Sequence, residues 1–109
     1  MTKGGAGDPG ETARRVARAA LRAPDVIELS AGAFGTLATP VPGGRVRGVA
    51  VRTDTVEVGV VVHFGRPLPE IAAELRAELT PIAEGRTVHI WVEDVVAGAA
   101  DTRSRPRTR

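Results

Sequence analysis

Between Thr55 and Phe64 apolar side chains recur on every second residue. Val56, Val58, Val60, Val62 and Phe64 alternate with Glu57, Gly59, Val61 and His63. An extended chain places the first set on one face, which predicts a strand with one buried side. Directly afterwards the period becomes helical: Leu68, Ile71, Ala72, Leu75, Leu79 and Ile82 form a stripe, with Glu70, Glu74, Arg76 and Glu78 turned outward. Burying the five strand side chains is worth about 10 kcal/mol, and fixing the backbone that carries them costs about as much or more. The strand therefore needs a cover. A helix of roughly 24 Å at 1.5 Å per residue can lie back along a strand of roughly 30 Å at 3.3 Å per residue.

The same pattern continues outward from this pair. Asp8, Pro9 and Glu11 read as N-cap, first and third residues of a helix from Pro9 to Ala23. Ala13, Val16, Ala17, Ala20 and Leu21 form its apolar stripe, Arg14, Arg18 and Arg22 a separate row, and Pro24 its stop. VIEL (26–29) reads as a short extended piece, AFGTLA (33–38) as a first strand, and TPVPGG (39–44) as a turn or loop. Arg45 to Arg52 reads as a second strand joined through Thr53 and Asp54 to the central one in an antiparallel hairpin. Pro81 distorts the end of the second helix and Gly85 supplies its left-handed stop. Arg86 to Val96 forms the last strand, ended by Gly98 and running parallel to the central one. Its Val88, Ile90 and Val92 face one way; His89, Trp91 and Glu93 face the other.

The fold expected is α+β in two layers, with the order helix, three strands, helix, strand, and both helices on one face of a four-stranded mixed sheet. Residues 1–8 form a glycine-rich disordered segment, 9–98 a single domain and 99–109 a disordered basic tail. At 109 residues there is room for one modest core. With only Phe34, Phe64 and Trp91 as aromatics, valine, leucine and alanine must fill it.

Composition removes several chemistries. There is no cysteine, hence no disulfide, thiol nucleophile or zinc ribbon. No apolar run reaches the roughly 18 residues of a membrane helix, and the N-terminus lacks a signal peptide's apolar centre, so a cytoplasmic location without direct membrane insertion is expected. The pI near 10.4 belongs to the tail. Residues 101–109 carry four arginines against one aspartate, whereas residues 9–100 carry ten arginines against eleven acidic residues. Strand-led dinucleotide fingerprints, Gly-x-Ser-x-Gly and phosphate loops ending in Gly-Lys-Ser/Thr are all missing. Glu70, Glu74 and Glu78 line an exposed helix face rather than a cleft. The reading is non-enzymatic.

His63 and His89 share the outward register with Glu93, the minimum set for zinc, but they lack the close spacing of convergent ligands. They are read as surface histidines, and no metal or other cofactor is expected. Trp91 is more informative. If the helices cover the even-numbered valines, Trp91, Val61, Val95 and Val49 form an apolar patch on the open face, with His63 and His89 around it. Such patches are contact surfaces, and tryptophan is enriched where partners bind. Trp91, Val61, His63, His89 and Val95 are therefore the candidate surface for self-association into a homo-oligomer or for a protein partner, the other reading being that a loop or the first helix buries the patch. The alternative is nucleic-acid binding through Arg103, Arg105, Arg107 and Arg109, whose phosphate contacts would make affinity fall steeply with salt.

Three stretches together resemble the alkaline-shock, or envelope stress response, family of small bacterial proteins. They are the valine-rich strand VEVGVVVHFG, the amphipathic helix LPEIAAELRAEL and the glycine-closed last strand GRTVHIWVEDVVAG. The resemblance covers Thr12 to Gly98. It implies a non-catalytic protein without a cofactor that assembles, associates with the cell envelope through a membrane-embedded partner and acts in envelope stress. It would leave this chain cytoplasmic but peripheral to the membrane through that partner.

Overall fold

A computed structural model describes residues 8–97. The expected terminal segments apart from Asp8, the arginines at 103, 105, 107 and 109, and the stop at Gly98 lie outside these residues. The class is α+β, as the periodicities require. Helix α1 (Pro9–Arg22) is followed by β1 (Val26–Leu29), β2 (Ala38–Val41), β3 (Gly44–Arg47), β4 (Val49–Val51) and β5 (Thr55–His63). Helix α2 (Leu68–Leu79) and β6 (Thr87–Val96) are the last elements among the described residues.

β5 is the spine. Its whole length pairs in parallel with β6, from Thr55 opposite Thr87 to His63 opposite Val96. Its other edge is shared. β4 pairs antiparallel with residues 56–58 and β1 pairs antiparallel with residues 60–62. Between them, Gly59 sends its N–H to the carbonyl of Gly48 at 2.9 Å and accepts at its own carbonyl from Ser30 at 2.8 Å. Two short strands thus lie end to end against one long one, so the four-stranded sheet is three strands wide.

The helical layer lies on the even face of β5. Val56, Val58, Val60 and Val62 are fully buried in one cluster with Ala13, Val16 and Ala20 of α1 and Ile71, Leu75 and Leu79 of α2. α1 packs on β1 and β4, and α2 on β6. The Asp8 carboxylate accepts from the Glu11 N–H at 2.8 Å, which caps α1 as its sequence implies. Thr80–Ile82 tightens into a 3₁₀ turn at Pro81, and Gly85 takes φ 84°. Three apolar residues expected inside are outside. Leu21 ends α1 51% exposed, Phe64 lies one residue past β5 at 70%, and Leu68 opens α2 exposed, because each sits where its element runs beyond the core.

The region before β4 differs most from expectation. AFGTLA is not a strand: Ala33 and Phe34 form a turn, and Gly32 and Gly35 hold left-handed φ values of 83° and 70°. The expected loop TPVPGG instead contributes most of β2, the Pro42–Gly43 turn and the first residue of β3. Proline followed by glycine at φ 85° is the requirement of a type II turn. The expected strand from Arg45 to Arg52 is broken by Gly48 at φ 92°, which separates β3 from β4. Five strands, not three, therefore precede α2. The hairpin is fastened by Thr39, which is buried. Its hydroxyl donates to the Val49 carbonyl at 2.7 Å and accepts from the Val51 N–H at 3.0 Å, standing in for a strand beside β4.

Candidate interaction surface

The outer face of the sheet is built from the odd positions of β5 and β6, and it is only partly open. After β1 the backbone crosses over Gly59. A β-carbon there would lie 2.2 Å from the Ser30 carbonyl oxygen and 2.9 Å from Leu37 Cδ1, so only glycine admits the crossing. Leu37 is buried in this loop, whose ends are joined by its N–H donating to Ala31 at 3.0 Å. Val61 is correspondingly covered, at 8% exposure. Trp91, opposite Gly59 in register, lies on this face away from both helices and is 51% exposed.

A bulge alters what surrounds it. Val60 pairs with Val92 but Val61 pairs with Asp94, so Glu93 is an extra residue in β6. Strand alternation has period two, and one inserted residue exchanges the faces beyond it. Val95 therefore pairs with Val62 and packs against the core rather than standing beside Trp91, while Val96 takes the outer face opposite His63. Val49 also belongs to the core, opposite Val58. The expected patch is corrected accordingly. Trp91 and Val61 lie near one another in the ladder, Val95 and Val49 face the helices, and Val61 is largely hidden.

His63 and His89 are both exposed on the outer face but do not converge. His89 pairs with Glu57 and His63 with Val96, which separates them by six residues of β5, or about 20 Å at 3.3 Å per residue. Among the described residues no cluster of three or more histidine, aspartate and glutamate side chains could hold a metal ion.

A second apolar feature escaped the sequence reading. Past the end of β5, Phe64, Gly65, Arg66, Pro67, Leu68 and Val95 line an open groove of about 450 Å³. It forms because the Phe64 N–H bonds the Val96 carbonyl at 3.0 Å, so β5 and β6 end together and α2 begins over the gap. The available signal was Gly65 directly after the aromatic.

One charged cluster fixes this corner. The Arg66 guanidinium reaches Asp25 at 2.7 Å, Glu74 at 2.6 and 3.0 Å and Glu70 at 3.5 Å, joining the segment before β1 to the first two turns of α2. The hydrogen bond from Arg66 holds the Glu74 carboxyl below its usual range, and the bond to Glu74 raises Arg66 in return.

Comparison with protein-family models, curated proteins and solved structures finds no match to this chain. No described helix is long and apolar enough to cross a membrane.

Proposed function

We propose that the chain is a non-enzymatic assembly module of the envelope-stress type, acting through self-association and docking to a membrane-anchored partner. The observation that carries this reading is Trp91. The sole indole of the protein stands half exposed near the middle of β6, on the face away from both helices, and a large exposed aromatic of this kind marks a contact surface. The family resemblance supports the envelope context, and the absence of a membrane-crossing described helix fits attachment through a partner.

Trp91→Ala tests the reading by light scattering. It removes contact surface together with the half of the indole that packs on the sheet, so the fold should persist with an unfolding free energy lower by about 2 kcal/mol while the scattering mass falls toward the 11.4 kDa chain mass. Assembly unchanged by the substitution would refute the surface.

A further inference from the structure

β6 is the edge of the sheet. Its inner side pairs with β5 along its full length, and among the described residues no strand pairs with its outer side. Long open edges invite pairing with another chain and are ordinarily blunted by proline, lysine, a bulge or a covering segment. From Thr87 to Val92 there is no proline, lysine or bulge, and the bulge at Glu93 comes only after this run.

The directions of the free backbone groups follow from the ladder. Gly59 sends both its N–H and its C=O toward β1 and β4, so in the parallel pair it is Trp91 that bonds β5. Alternation then turns the N–H and C=O of Val88, Ile90 and Val92 outward. Ile90 and Val92 keep part of their surface exposed on the helical face, so α2 does not close over this edge.

We infer that β6 pairs antiparallel with β6 of a second copy about a two-fold axis at Ile90, extending the sheet across both molecules. This rests on the self-association reading above and names its geometry. With Ile90 opposite itself, Val88 stands opposite Val92 of the second copy, so all three outward-facing residues of each strand form hydrogen-bonded pairs. Aliphatic side chains meet aliphatic ones on the helical face, and His89 stands across from Trp91 of the second copy on the outer face. An axis at His89 would instead leave Val92 unpaired and set imidazole against imidazole.

Hydrogen exchange on the unmodified protein, read across a dilution series spanning association, tests this directly. The amides of Val88, Ile90 and Val92 should slow by at least about tenfold in the associated state, while those of His89 and Trp91, already bonded to β5, change little. A second measurement uses the absence of native cysteine. Ile90→Cys should cross-link to itself under mild oxidation, since paired strands bring the α-carbons within disulfide range, whereas Ile27→Cys on β1 should not. Association without protection of those three amides and without preferential cross-linking at 90 would overturn the edge pairing and leave self-association standing. A protein monomeric at every concentration would overturn both.

Discussion

At the residue scale, two glycines show why identity and environment must be read together. Gly59 lies in an ordinary strand conformation, yet a methyl group there meets the Ser30 carbonyl oxygen at 2.2 Å. Gly35 has φ 70° but nothing within 4 Å of an added β-carbon. Gly59→Ala should therefore destabilise the protein by about 3 kcal/mol through overpacking against backbone, and Gly35→Ala by about 1 kcal/mol through conformation alone. Urea unfolding of the two variants separates these cases, and equal losses would show that the loop does not cross at Gly59. The alternation of valines was plain in the sequence. The crossing was not, since a glycine under a steric ceiling and a glycine that merely loosens a strand look the same in one dimension.

At the scale of elements, the long periodic stretches were legible: α1 with its Asp8 cap, β5, α2 and the parallel β6 all lie where periodicity put them. Short strands were not. β2, β3 and β4 have four, four and three residues, too few to display a period, and are set by Pro42–Gly43, Gly48 and the Thr39 hydroxyl. The bulge at Glu93 was equally hidden, and it moved Val95 from the proposed patch to the helical face, where it packs against the core. Between elements, Arg66 ties the segment before β1 to α2. Glu74 titrates below its usual value of 4.5 in the folded state, so its contribution is present above that value and is lost as pH falls through the depressed one. The cluster is solvent-exposed and its effect correspondingly small. Arg66→Met should make the acid side of the stability profile shallower and leave the slope above about pH 6 unchanged. Parallel profiles at low pH would mean the ion pairs do not persist in solution.

At the scale of the molecule, and among the described residues, the sheet has one edge filled by two short strands and the other left unpaired, and one face covered by helices while a loop crosses the other. The exposed Trp91 and the open edge of β6 fall on the same strand, so a second copy on that edge would meet both. Because Trp91 is the only tryptophan, its fluorescence reports on this surface alone. The most direct measurement is Trp91 emission and acrylamide quenching, followed with sedimentation across the same concentration series. Emission should shift to the blue and quenching should fall in step with association. Association that leaves both unchanged would show that the molecules meet elsewhere.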